Sequence, residues 1–276
     1  ITRETVRWIE IGKFSFQPSE AVKPLLVLSF SSLSLRLDLK KIKNIFIFFL
    51  IFFLPVILIF KQPDLGNALV LFVLWLGAIF VKGLEKKYIF LGIIIFIAVL
   101  PLGWHILKPY QKERVVSFTN PNSDPLGTGY NLIQSKIAVG SGQFFGKGLG
   151  GGSQSQLRFL PEQQSDFIFA CLGEELGFVG GSLLILGFLI LILRILLIAQ
   201  KSFDQFGSLI CTGTASILFF QAFINIGMNL GIVPITGLTL PLVSYGGSSL
   251  ISTMILLGLV QSVARREKRE RTIEIK

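Results

Sequence analysis

Long, predominantly apolar runs separated by short charged clusters are the feature that most restricts the folding of this 276-residue chain. Seven such runs can be delimited, at 20–35, 44–60, 66–83, 88–106, 176–199, 206–230 and 242–264. Most approach the roughly 20 residues that an α-helix needs to cross a bilayer. Only 15% of the residues are charged, whereas a soluble domain carries about a quarter. The sequence therefore predicts an all-α, polytopic membrane bundle in which residues 1–276 form a single transmembrane domain.

The distribution of lysine and arginine predicts the orientation of the bundle. Basic residues cluster in alternate turns and in the tail, at 36–43, 82–87, 194–201 and 265–276, whereas 61–65 holds one lysine and 231–241 none. The positive-inside rule places the basic turns in the cytoplasm. The tail at 265–276 is then cytoplasmic, and the large loop at about 107–165 is extracytoplasmic. Topology accounts for the net charge of +10, so no nucleic-acid partner is implied.

The first part of the large loop has the pattern of a helix. Asp124 and Pro125 suit the N-cap and the first helical position. Apolar residues then follow at helical spacing, forming one stripe of Leu126, Tyr130, Ile133 and Ile137. Two interpretations of a helix at 124–139 stay open at this point: a helix packed on the spans, and an interfacial helix bordering a site for a lipid substrate.

A glycine-rich segment follows in the same loop. Residues 146–151 match G-x-G-x-x-G, but no strand precedes them, so a dinucleotide site is improbable. A Walker A loop also fails, because glycine follows Lys147 where serine or threonine is needed. The composition predicts a mobile loop. Its lysine could nevertheless meet a phosphate.

Four carboxylates crowd the stretch at 157–178, next to an apolar run: Glu162, Asp166, Glu174 and Glu175. For Asp166 two interpretations stay open, a helix cap and a catalytic base at the mouth of an extracytoplasmic cavity. We expect Glu174 and Glu175, which lie deeper, to be structural and to need partners. Glycines recur every fourth residue at 173, 177 and 181, which predicts a seam for close helix contact.

Polar residues inside the apolar runs predict which faces are buried. Gln221, Asn225 and Asn229 lie at i, i+4 and i+8, so they share one face, which should look into the bundle. Glu20 and Lys23 can pair on one face of the first run. Asp64 is expected to cap the third. Cys171 and Cys211 lie in apolar runs without CxxC spacing, so we interpret both as packing residues.

Five ordered stretches resemble one family. They are "RWIEIGKFSFQPSE", "KQPDLGNALVLF", "YQKERVVSFTNPNSDPLGTGYNLIQSKIAVGSG", "FLPEQQSDFIFACLGEELGFVGG" and "PITGLTLPLVSYGGSSL". This order and content are similar to those of the SEDS proteins (RodA, FtsW, SpoVE), and the elongation branch is the more similar. The family has ten spans, so the chain resembles a fragment that lacks the first three. The resemblance implies a bacterial inner-membrane enzyme that polymerises lipid II into peptidoglycan strands beside a class B penicillin-binding protein.

The resemblance also implies site residues. The essential aspartate of the family corresponds to Asp166, although "EQQSD" here lacks a histidine that many members carry nearby. The family's "FQPSE..K" motif corresponds to Gln17, Glu20 and Lys23. We expect the substrate-binding residues to be these three together with Arg114, Gln134, Lys136 and Asn225.

The implied reaction makes a β-1,4 link from an α-diphosphate donor, so it inverts the sugar and needs a base on the acceptor hydroxyl. Cations should face the leaving diphosphate, and the candidates are Arg7, Lys23, Arg114, Lys136, Lys147 and Arg158. A divalent cation could share this task, but no ligand set for a metal and no other cofactor site is legible. The alternatives are a lipid II flippase, a scaffold for a penicillin-binding protein, and the division or sporulation member of the family.

Overall fold

The structure is a computed structural model that describes residues 8–11, 14–37, 41–62, 64–81, 109–121, 127, 129–157 and 159–274. A short antiparallel hairpin comes first, with β1 at Ile9–Ile11 and β2 at Phe14–Phe16. The helices are α1 (Pro18–Arg36), α2 (Ile42–Lys61), α3 (Leu65–Val81), α4 (Pro109–Thr119), α5 (Tyr130–Ser141), α6 (Ser153–Gln156), α7 (Ile168–Lys201), α8 (Gln205–Leu230) and α9 (Gly247–Glu274). The predicted all-α fold class is confirmed.

Six of the seven predicted runs fall on described helices, and the run at 88–106 lies outside the described residues. Four described helices are long and apolar enough to cross a membrane, at Lys43–Lys61, Ile168–Lys201, Gln205–Leu230 and Gly247–Glu267. Helix α3 is apolar but only 17 residues long. The number of spans and their orientation stay predictions.

Helix α7 begins eight residues before the predicted run at 176–199, and a kink explains the difference. Gly177 has φ 64° and ψ −162°, so α7 consists of two helical arms joined at this residue. The arm after the kink has 24 residues by its bounds, 178–201. At 1.5 Å per residue it is long enough for the hydrocarbon core.

The chain divides into two compact units. The first contains Ile1–Gly83, Gly187–Ala222 and Pro241–Lys276, and the second contains Leu84–Leu186 and Phe223–Leu240. The single transmembrane domain expected from the sequence stays a prediction.

Aromatic and small residues build the core of the first unit. Phe30 and Phe52 are buried with ring centroids 5.4 Å apart, and Phe52 stacks on Trp75 at 5.5 Å. A second cluster contains Ile195, Ala199, Cys211, Ala215, Leu218 and Val260. Because Cys211 is buried among these apolar groups, its predicted packing role is confirmed.

The core of the second unit contains Ala138, Leu160, Phe167 and Ala170, with Cys171 packed against it. The predicted apolar stripe of α5 is not its buried face. Ile137 is 45% exposed, and the buried residues are Leu132, Ser135 and Ala138. Tyr130 and Ile133 of the stripe are half-buried, so the interpretations of a packed helix and of an interfacial helix both stay open. Small residues are buried at this end of α5 because they allow its backbone to approach that of α7 closely. A Cβ at Gly142 would overlap the carbonyl oxygen of Gly173 on α7.

Candidate active site

Asp166 lies in a turn segment immediately before α7. Its main-chain N–H donates to the carbonyl oxygen of Glu162 at 3.0 Å, and the residue is half-buried, whereas the next residue, Phe167, is buried. Gly237 has φ +74°, and a Cβ on it would lie 3.4 Å from Oδ2 of Asp166. The carboxylate of this half-buried residue therefore rests against the backbone of the segment at 231–240.

Two buried asparagines of α8 hold the main chain of Asp166. Nδ2 of Asn225 and Nδ2 of Asn229 each donate to the carbonyl oxygen of Asp166 at 3.0 Å. Oδ1 of Asn229 accepts from the N–H of Ala170 at 3.1 Å, a donor in the first turn of α7 that also bonds the carbonyl oxygen of Phe167 at 3.1 Å. Asn225, Asn229 and also Gln221 are 0–2% exposed, so their predicted inward orientation is confirmed.

Asn225 was expected to bind substrate, but its side chain is buried in this structure. It is 0% exposed, and Nδ2 also donates to the carbonyl oxygen of Leu238 at 2.7 Å. Asn225 thus joins Asp166 to the segment at 231–240. In this structure it offers no surface to a ligand, so it is suited to positioning the carboxylate.

Two of the expected cations contact the same segment. Nη1 of Arg114 donates to the carbonyl oxygen of Thr236 at 3.2 Å. The exposed side chain of Lys136 packs over Gly231. A Cβ placed on Gly231 would lie 2.7 Å from the ammonium nitrogen of Lys136. Gln134 is half-buried on the same helix, α5. The second unit thus brings Asp166, Arg114 and Lys136 to one ten-residue segment.

Lys147 is paired with a buried carboxylate. Its ammonium donates to Oε1 of Glu174 at 2.9 Å, and the Glu174 side chain is 0% exposed. The N–H of Gln154 donates to the same oxygen at 3.1 Å. Glu174 therefore has the partners that the sequence predicted it would need. Main-chain bonds of 3.0 Å also tie Lys147 and Gly148 to α7. The predicted mobility of the glycine-rich segment stays a prediction.

Gln17, Glu20 and Lys23 come together in the first unit. Lys23 Nζ lies 2.6 Å from Glu20 Oε1, with side chains 1% and 5% exposed, which confirms the predicted buried pair. The hydroxyl of Ser252 donates to the carbonyl oxygen of Glu20 at 2.8 Å. Gln17 Nε2 donates to Oδ2 of Asp64 at 3.1 Å.

Asp64 is more than the predicted helix cap. Its Oδ1 accepts from the N–H of Asn67 at 3.1 Å, which confirms the cap of α3. Its Oδ2 also accepts from Gln17, from the hydroxyl of Ser19 at 3.2 Å and from Nδ2 of Asn67 at 2.9 Å. The sequence analysis missed this network. Its signal was the presence of Ser19 near Gln17 and of Asn67 near Asp64, at the starts of two otherwise apolar helices.

Within the described residues no group of three or more histidine, cysteine, aspartate or glutamate side chains is placed to hold a metal ion. Arg7 and Arg158, which were also considered as cations for a diphosphate, and the helix cap at Asp124 lie outside the described residues.

A family model described as "Cell cycle protein" and covering FtsW, RodA and SpoVE matches residues 2–269. The chain belongs to this family. The peptidoglycan glycosyltransferase MrdB of Escherichia coli K12 is 43% identical to it over 272 residues, which is 97% of this chain and 73% of MrdB. The resemblance seen in the five sequence stretches is thereby confirmed.

Solved structures of FtsW/RodA/SpoVE proteins have the same fold. One is a chain from a structure of a peptidoglycan synthase complex that coordinates polymerization and crosslinking, with TM-score 0.81, 33% identity, and coverage of 97% of this chain and 75% of that chain. Another is the RodA crystal structure from Thermus thermophilus, with TM-score 0.66, 29% identity, and coverage of 97% and 71%. As a member of the family, the chain is a multi-pass protein of the bacterial inner membrane.

Proposed function

We propose that this protein is a peptidoglycan glycosyltransferase that polymerises lipid II during cell elongation, with Asp166 as the general base. The glycosyltransferase activity is supported by MrdB, whose name states that activity and which is 43% identical along 97% of the chain. The role of Asp166 is supported chiefly by one observation: a half-buried aspartate whose main chain is held by two buried amides.

The reaction transfers one proton and exchanges one C–O bond. The carboxylate of Asp166 takes the proton of the acceptor sugar hydroxyl, whose oxygen forms a bond to the anomeric carbon of the donor sugar. The bond from that carbon to the diphosphate breaks on the opposite face, and the polyprenyl diphosphate leaves with the electron pair. Such a base contributes roughly 10² to 10⁴ in rate.

A fixed main chain gives this base its geometry. Proton transfer needs a carboxylate within hydrogen-bond distance of the acceptor hydroxyl, and small displacements of a catalytic group are costly. The amides of Asn225 and Asn229 hold the carbonyl of Asp166 from a long helix, and Gly237 limits the carboxylate on one side. We infer that Asn225 serves catalysis by positioning Asp166.

Charge on the leaving diphosphate needs a nearby cation. In the part of the chain that the structure describes, Lys23 and Lys147 are paired with carboxylates, whereas exposed Lys136 has no such partner. We therefore assign the diphosphate to Lys136, with Arg114 as a second cation anchored at Thr236. A divalent cation could share this charge. Gln134 is proposed to bind substrate beside Lys136.

In the first unit, Gln17, Glu20 and Lys23 are proposed to bind polar groups of the substrate. Gln17 is the half-buried member of the three, while the pair of Glu20 and Lys23 is almost fully buried. As a partner we propose a class B penicillin-binding protein. This is supported by the 0.81 TM-score to a chain from the structure of a peptidoglycan synthase complex.

The test is polymerisation of purified lipid II by the complete protein with its partner. Asp166→Asn removes the base while preserving size, so we expect polymerisation to fall by roughly 10² to 10⁴. Glu162→Gln is the matched control, because Glu162 is an exposed carboxylate in the same segment and should retain activity. Near-normal polymerisation by Asp166→Asn would reject the assignment. Loss of its thermal unfolding transition would instead indicate a structural role.

A further inference from the structure

The loop at 142–152 carries large apolar side chains on its surface. Phe144, Phe145 and Leu149 are 61%, 80% and 81% exposed. Single exposed apolar residues are common on proteins, but three large ones within six positions of one loop indicate an interaction surface. We refer to these three residues, with Phe178, as the aromatic tip.

The aromatic tip is continuous with a membrane-facing helix. The rings of Phe144 and Phe178 lie 5.5 Å apart, and the N–H of Phe178 donates to the carbonyl oxygen of Gln143 at 2.9 Å. Phe178 is 64% exposed and follows the kink of α7 directly. Ile185 and Leu189 lie on the same face of the helix farther along and are 43% and 50% exposed. The apolar surface of the loop therefore extends the apolar surface of a candidate membrane span.

The one charged side chain of the loop itself is paired. Lys147 is the one ionisable residue between 142 and 152. Its ammonium lies 2.9 Å from the buried carboxylate of Glu174. A charge entering the lipid interface is costly unless it is paired. The pair with Glu174 removes this obstacle.

Three main-chain N–H groups of the loop have partners within the protein. The N–H groups of Lys147 and Gly148 donate to the carbonyl oxygens of Glu174 and Glu175 at 3.0 Å. The N–H of Gly150 donates to Oε1 of Glu175 at 3.2 Å. In lipid such groups must find partners within the protein. This bonding to α7 supplies them.

We propose that the aromatic tip inserts into the interfacial layer of the phospholipid bilayer and anchors the kink of α7 at a fixed depth. The partner of this surface is thus lipid. The anchor holds the arm at 168–176, with Asp166 before it, close to the membrane surface where a lipid-linked sugar is presented. The insertion does not depend on the catalytic role of Asp166.

The test is depth-dependent quenching on the full chain in nanodiscs of three parts phosphatidylcholine to one part phosphatidylglycerol. Phe145→Cys and Leu149→Cys are each labelled with the NBD fluorophore, and nitroxide lipids quench it. Gln164→Cys, at an exposed polar position of the same unit, is the water-facing control. Leu183→Cys is the lipid-facing control. The unsubstituted chain gives the background from Cys171 and Cys211.

Insertion predicts that labels at 145 and 149 are quenched at least twofold more than the label at 164 by a nitroxide near the headgroup. It also predicts blue-shifted emission at both positions, as at 183. Equal quenching at 145, 149 and 164 would overturn the proposal. So would labels that become shielded only after a protein partner is added, because the tip would then be a protein-docking surface. Each substituted side chain is largely exposed, so the fold should tolerate both variants.

Discussion

Asn229 holds both sides of the start of α7: Nδ2 donates to the carbonyl oxygen of Asp166 at 3.0 Å, and Oδ1 accepts from the N–H of Ala170 at 3.1 Å. The asparagine is 0% exposed and belongs to a helix long enough to cross the membrane. A candidate catalytic carboxylate in a turn is thus positioned by a regular helix. Sites supported in this way are held more tightly than sites on loops alone.

Asn229→Ala should therefore lower both stability and activity. The change leaves the carbonyl of Asp166 with one amide, and it removes the side-chain acceptor of the Ala170 N–H, which keeps its bond to the carbonyl oxygen of Phe167 at 3.1 Å. Losing the two side-chain bonds should cost about 2 kcal/mol. Because Asp166 would be less well positioned, kcat should fall more than KM rises. Thermal unfolding in detergent and lipid II polymerisation measure the two effects.

Gln221→Leu is the matched control on the same helix. Gln221 is 2% exposed, and within the described residues its Nε2 has no hydrogen-bond partner. Replacing an unsatisfied buried amide by an apolar group should be neutral or stabilising. If both variants lost stability equally, the specific role of Asn229 would be contradicted.

The fold was largely predictable from the sequence, because hydropathy identifies the segments that lie in lipid. Such apolar segments must be helices, since no water is present there to satisfy their backbone groups. Six runs became helices, although α7 begins eight residues before its run and α9 begins five residues into its run. The kink at Gly177 was not predictable, since a glycine with φ 64° in an apolar run has the same sequence signature as one in a straight helix.

The site was predictable only in part. Asp166 and the buried pair of Glu20 and Lys23 follow from position and local spacing. The bond between Asn229 and Asp166 joins residues 63 apart, and the pair of Lys147 and Glu174 joins residues 27 apart. Such contacts depend on how the helices and turns pack in three dimensions. The periodicity of a short stretch of sequence does not predict that packing. The buried face of α5 was missed for the same reason, because small residues there meet the glycine of another helix.

Gly142→Ala should destabilise the protein, whereas Gly140→Ala should not. A Cβ at Gly142 would overlap the carbonyl oxygen of Gly173, and overpacking against backbone costs about 1–3 kcal/mol. A Cβ at Gly140 meets nothing within 4 Å, and alanine there favours the helix by up to about 1 kcal/mol. Thermal unfolding of the two variants measures the difference. Equal stabilities would show that α5 and α7 do not approach closely at Gly173.

Thiol labelling tests the predicted orientation. Gln164 and Lys201 are exposed residues before and at the end of α7, and the arm at 178–201 is long enough to cross the bilayer. In intact cells a membrane-impermeant maleimide should label Gln164→Cys but not Lys201→Cys, and breaking the cells should make Lys201→Cys reactive. The reverse pattern would invert the orientation inferred from the basic turns.

Lys136→Met and Lys147→Met should affect different properties, although each removes one cation from the same unit. Lys147 is paired with the fully buried Glu174, so Lys147→Met leaves a buried carboxylate without its cation and should cost about 2 kcal/mol of stability, which Glu174→Gln in the same chain should partly restore.

Lys136 is exposed and, among the described residues, has no carboxylate partner. Lys136→Met should therefore leave the unfolding temperature unchanged and, because the leaving diphosphate loses a cation, slow polymerisation by roughly 10-fold to 100-fold. A Lys136→Arg variant should recover much of this rate. Should Lys136→Met instead unfold the protein, or Lys147→Met slow polymerisation at full stability, the assignment of the two lysines would have to be exchanged.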